Sequence, residues 1–99
     1  MIERLDLQDN GDLVLVRGRV WKWLRTLGLD PMVATRLATA TSEVARRRLE
    51  SGPVTLHIEL ATKGLQITLD QAGWFEVASL LRGARVRDDT LVVAVRSGA

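Results

Sequence analysis

The sequence predicts an α+β two-layer sandwich, with helices on one face of a mostly antiparallel sheet and the element order β-α-α-β-β-α-β-β. Three observations carry this prediction. Two long stretches step their apolar residues by three and four, and later stretches alternate apolar with polar residues about tight turns. The hydrophobic and charged fractions, 46% and 26%, are those of a globular chain. A length of 99 residues holds one domain, so residues 1–99 are read as a single unit.

Ile2, Leu5 and Leu7 alternate imperfectly with charges and run into the turn cluster Asp9-Asn10-Gly11, which predicts a short edge strand. From Leu13 the apolar positions Leu13, Val16, Val20, Trp23, Leu24 and Leu27 recur at helical spacing. Asp12 serves as N-cap and Gly28 as the residue after the C-cap, so a helix is expected over 12–28. A strand over 13–16 competes, because that run is β-prone and Gly18 weakens a helix by ~1 kcal/mol against Ala. The longer periodicity favours the helix.

Asp30-Pro31 opens a second helix, with proline at the first position, where its missing N–H costs nothing. Its face is Val33, Leu37, Ala40, Val44, Ala45 and Leu49, and Gly52-Pro53 ends it. Val54, Leu56, Ile58 and Leu60 then alternate with Thr55, His57 and Glu59. After the turn Thr62-Lys63-Gly64, Leu65, Ile67 and Leu69 do the same with Gln66, Thr68 and Asp70, which makes a hairpin. Trp74, Val77, Ala78 and Leu81 predict a third helix before Gly83. Residues 84–87 and 90–96 predict a final hairpin around Asp88-Asp89.

Composition excludes several classes of function. With no cysteine and one histidine, zinc sites, redox motifs and Cys or His nucleophiles have nothing to draw on. No apolar run is long enough for a membrane span, and the acids in the first twelve residues speak against a signal peptide. The expectation is a soluble, cytoplasmic protein. Fourteen basic residues, twelve of them Arg, stand against twelve acidic ones, so the net charge is only +2. A pI of 9.9 alone is weak support for nucleic-acid binding.

Two segments resemble a known family. The stretch LATATSEVAR, residues 37–46, resembles the N-box helix of the GHKL or Bergerat-fold ATPases, in particular the bacterial anti-sigma-factor serine kinases and switch kinases. ITLDQAG, residues 67–73, resembles their G1 box. The likeness covers nearly the whole chain, with the ATP lid and the second glycine-rich box of the family missing. In the family the N-box is a glutamate followed four positions later by a Mg²⁺-ligating asparagine, on one helix face. Here Glu43 takes the first position and Arg47 the second. Arginine has no acceptor, so the resemblance implies a lost metal site and no cofactor. In the G1 box Asp70 keeps the adenine-binding position, while Ala72 and Trp74 replace two glycines around Gly73. These six residues form the expected degenerate nucleotide site, with Arg47 standing in for the metal charge and pairing with Asp70 or Glu43.

The resemblance therefore implies a pseudo-kinase that has lost catalysis and acts by protein–protein binding. Its partner would be a sigma-factor or anti-anti-sigma-type regulator, in a homodimer or a hetero-complex. Trp21 falls off the main apolar stripe beside Arg25, the composition of an interface anchor. With Arg46 and His57 these residues are the candidate interface. Trp23 is expected in the core. Arg46, Arg47 and Arg48 wrap the helix end, where their charge complements its dipole. Two alternatives stay open: a residual ATP-binding or serine-kinase domain, and nucleic-acid binding through the Arg-rich helices.

Overall fold

A computed structural model of the chain describes residues 2–61, 64–69, 84–87 and 90–93. The fold is α+β. β1 (Ile2–Leu7) leads through a 3-10 turn (Asn10–Asp12) into α1 (Leu13–Thr26), and α2 (Pro31–Leu49) leads into a hairpin of β2 (Val54–Ala61) and β3 (Gly64–Leu69). β4 (Ala84–Arg87) and β5 (Thr90–Val93) complete a five-stranded sheet in the order β1-β2-β3-β5-β4. Every described neighbour pair is antiparallel. β5 thus inserts between β3 and β4, and β1 closes one end of the sheet, as its short charged sequence predicts. The third helix expected around 74–81 lies outside the described residues, as do the Asp88-Asp89 turn and the end of the last strand.

Register decides which residues meet. Leu5, Leu56 and Leu69 form one cross-strand row, and Ile58, Ile67 and Leu91 belong to the next inward-facing row. Because strand side chains alternate between faces, these positions share one side of the sheet with Leu7, Val54, Leu65 and Val93. There they close on Val16, Val20 and Leu24 of α1 and on Ala34, Leu37, Ala38, Val44 and Ala45 of α2, in a single buried cluster. Both helices therefore lie on one face. On the other face Arg4, His57 and Thr68 stand in one row.

The helix ends show how local sequence steers the chain. α1 stops in a Schellman arrangement: the Leu29 N–H donates to the Leu24 carbonyl and the Gly28 N–H to that of Arg25, each at 3.0 Å. That geometry needs the φ of +92° at Gly28. Asp12 precedes α1 as expected, but its carboxylate makes no cap to the helix. It turns back to accept from the N–H groups of Gln8 and Asp9, at 2.7 and 3.3 Å, while Asp9 accepts from Gly11 at 2.8 Å. The reciprocal capping box thus belongs to the 3-10 turn and fixes the exit from β1. Asp30 likewise caps α2 with its backbone, its carbonyl accepting from Ala34 at 2.9 Å, and not with its side chain. Thr41, fully buried, returns its hydroxyl to the Leu37 carbonyl at 2.8 Å and so leaves no orphaned donor in the core.

Candidate functional site

Of the expected nucleotide-site residues, only Glu43 and Arg47 fall within the described residues; Asp70, Ala72, Gly73 and Trp74 do not. Glu43 sits on the outer side of α2, its side chain 42% exposed. One turn on, Arg46 grips both carboxylate oxygens, Nε to Oε2 at 3.3 Å and Nη2 to Oε1. Arg46 also reaches Glu50 at 3.6 Å, so three residues at helical spacing form a chain of alternating charge. The Arg46 hydrogen bond holds the Glu43 carboxyl below its ordinary value, against a desolvation effect, and the Coulombic pulls of Arg46 and Arg47 add to it. Glu43 in turn raises the Arg46 guanidinium. Glu43 is thus engaged by its helix neighbour, and Arg47 acts on it through charge.

The predicted interface residues separate into three places. Trp21 and Arg25 form one unit on the α1–α2 flank. The Trp21 indole N–H donates to Thr35 Oγ1 of α2 at 3.2 Å, and the Arg25 guanidinium lies 6.0 Å from the ring centroid, at cation–π range. Arg25 is itself anchored, donating from Nη1 to the Leu29 carbonyl at 2.6 Å. The residue remains 40% exposed. Val14 lies two turns before Trp21 on the same stripe, and Met32 lies one turn before Thr35 on α2; both are about two-thirds exposed, at 65% and 66%. Arg46 is eleven residues past Thr35, about 16 Å further along α2. His57 is exposed on the opposite face of the sheet. Sequence reasoning found the Trp21–Arg25 pair, but the four residues do not share a surface.

The other flank of α1 holds a cleft of about 280 Å³, lined by Glu3 of β1 and by Arg19, Lys22, Trp23 and Thr26 of α1. The helix residues are spaced by three, one and three, which makes them one stripe. Trp23 packs on the core and donates its indole N–H to Glu3 Oε2 at 3.3 Å. Arg19 Nε lies 3.6 Å from Glu3 Oε1, too far for a hydrogen bond. That oxygen is shielded from solvent and accepts none. Lys22 makes no ion pair with any described residue. Trp23 is at the core, as its spacing predicts, whereas the roles of Glu3, Arg19, Lys22 and Thr26 do not show in helical or strand periodicity alone. One signal was present: Glu3 has the parity of Leu5 and Leu7, so it is a charge on the inward face of β1.

Among the described residues no helix is long and apolar enough to cross a membrane, and no cluster of His, Asp and Glu could hold a metal ion. No protein-family model matches the chain, and no curated protein matches it.

Proposed function

We propose that the chain is a non-catalytic regulatory module, a pseudo-kinase built on the ATPase core that it resembles, and that it works by binding another protein. The observation that carries this reading is Trp21. A large aromatic ring on a two-helix surface is fixed by a hydroxyl from one helix and a cation from the other, and the residue stays two-fifths exposed. An indole fixed in this way loses little conformational freedom on association, which is how aromatic anchors come to dominate interfaces. Exposed Val14 and Met32 extend the apolar area, and Arg25 supplies a charge beside it. The partner that the resemblance implies is a sigma-factor or anti-anti-sigma-type regulator, or a second copy of the chain.

The test is a comparison of the native chain with Trp21→Ala. Proteins captured by the native chain are purified and titrated against both forms. A central anchor predicts affinity at least ~30-fold weaker for the variant, the equivalent of ~2 kcal/mol. Equal affinity would remove the α1–α2 flank as the binding surface. A rise in melting temperature with ATP and Mg²⁺ would overturn the reading in favour of a nucleotide-binding domain.

A further inference from the structure

β1 closes the sheet at one end, so its outer edge faces no strand among the described residues. A free edge offers a row of backbone N–H and C=O groups to any extended chain that can lie along it. Here the edge comes with a cleft beside it, between Glu3 and the α1 stripe of Arg19, Lys22, Trp23 and Thr26. A strand added to β1 would place alternate side chains on the helix side, into that cleft.

The charges in the cleft select what those side chains must be. Glu3 is already faced by the Trp23 indole N–H and the Arg19 guanidinium, so its negative charge is offset. Among the described residues Lys22 has no carboxylate partner. Arg19 meets Glu3 only at 3.6 Å, and its side chain is half-exposed. The cleft therefore holds one positive charge in surplus, together with one shielded acceptor, Glu3 Oε1, that lacks a donor.

We infer that the β1–α1 cleft receives an extended, acidic segment of another protein, which adds to β1 as a sixth strand and sets an Asp or Glu side chain between Arg19 and Lys22. This surface is separate from the Trp21 flank and does not depend on it.

The probe is a capped nine-residue peptide that alternates Thr and Val, with Glu in place of the central Thr, titrated into ¹⁵N-labelled chain. The expected result is movement of the backbone amides of residues 3–7 and of the Trp23 indole N–H, with Trp21 unmoved. A twin with central Lys binds ~10-fold more weakly or not at all, and in Lys22→Glu the preference between the two peptides reverses. Lys22 is exposed, so the variant keeps the fold, which its circular dichroism checks. A third peptide, N-methylated at alternate residues, loses the backbone donors and with them the binding. No movement at millimolar peptide, equal binding of the Lys twin, shifts centred on Trp21, or the same shifts appearing on self-association without peptide would each overturn the inference. The first two outcomes leave the Trp21→Ala comparison of the proposed function untouched.

Discussion

Two indoles two residues apart on α1 lead opposite lives. Trp21 faces α2, where a neutral hydroxyl takes its N–H; Arg25 of its own helix lies near the ring, and the residue stays two-fifths exposed. Trp23 faces β1, where a carboxylate takes its N–H and the ring packs on the core. The helix and the residue type are the same in both cases. What differs is the neighbour: α2 packs closely enough on α1 to reach Trp21, while β1 leaves a gap beside Trp23 that its own Glu3 only partly fills. One flank is thus a surface with a fixed anchor, the other a recess with unspent charge.

The ridge between the flanks is the place to break both at once. Leu24 is fully buried and sits in the core between the two stripes. Leu24→Ala is expected to lower unfolding free energy by ~2 to 5 kcal/mol in a urea titration, since the deleted methyl groups leave a cavity that helix and sheet cannot fully close. A smaller loss would mean that α1 shifts to fill it. Next in size is the contrast itself. Trp23→Phe keeps a ring but strips Glu3 of its donor in a part-buried place, at a cost of ~1 to 3 kcal/mol. Trp21→Phe removes a hydrogen bond that water replaces, with an effect below ~1 kcal/mol. Equal losses in the same titration would erase the distinction drawn between the flanks.

The smallest effect sharpens the comparison on β1, which carries one carboxylate on each face. Glu3 looks into the cleft, whereas Asp6 stands in solvent. There the Thr55 hydroxyl donates to Asp6 at 3.0 Å and Arg4 Nε at 3.1 Å. The Thr55 hydrogen bond first, then that of Arg4, hold the Asp6 carboxyl below its ordinary value. A carboxyl lowered in the folded state contributes stability above its unfolded pKa and loses it as pH falls through the folded value, which places the window below about pH 4. Thr55→Val should move the Asp6 midpoint, followed by NMR, upward. An unmoved midpoint would assign the effect to Arg4 alone.

Much of the fold was legible because its signals are periodic. α1 follows the spacing of Val16, Val20 and Leu24 despite Gly18, and the reason is visible: a Cβ at Gly18 would meet nothing within 4 Å, so the glycine costs propensity without disturbing packing. The β2–β3 hairpin follows its alternation for the same reason. Caps were legible by position and not by partner. Asp12 stands where an N-cap should, yet its carboxylate serves the turn behind it, because the 3-10 turn brings the N–H groups of Gln8 and Asp9 nearer than those ahead. The cleft was not legible. Arg19, Lys22 and Thr26 read in sequence as solvent positions of a helix, and only the way α1 lies along β1 gathers them with a residue sixteen or more places earlier. Glu3 alone broke the pattern, as a charge at an apolar parity. The expected nucleotide site stands on residues of which only the helix pair Glu43 and Arg47 is described.

The position of β1 sets an order on how the molecule assembles. Two residues separate β2 from β3, while 46 separate the end of β1 from the start of β2. Closing the longer span as open chain costs about 3 kcal/mol more in entropy. The helical hairpin and the β2–β3 hairpin can each form from near neighbours; β1 must wait until α1 and α2 have shortened that span. Of β1, β2 and β3, the strand that joins last is also the one that carries Glu3. The recess beside Trp23 therefore exists only once β1 has docked beside α1, and anything that binds there reads the closing of that span.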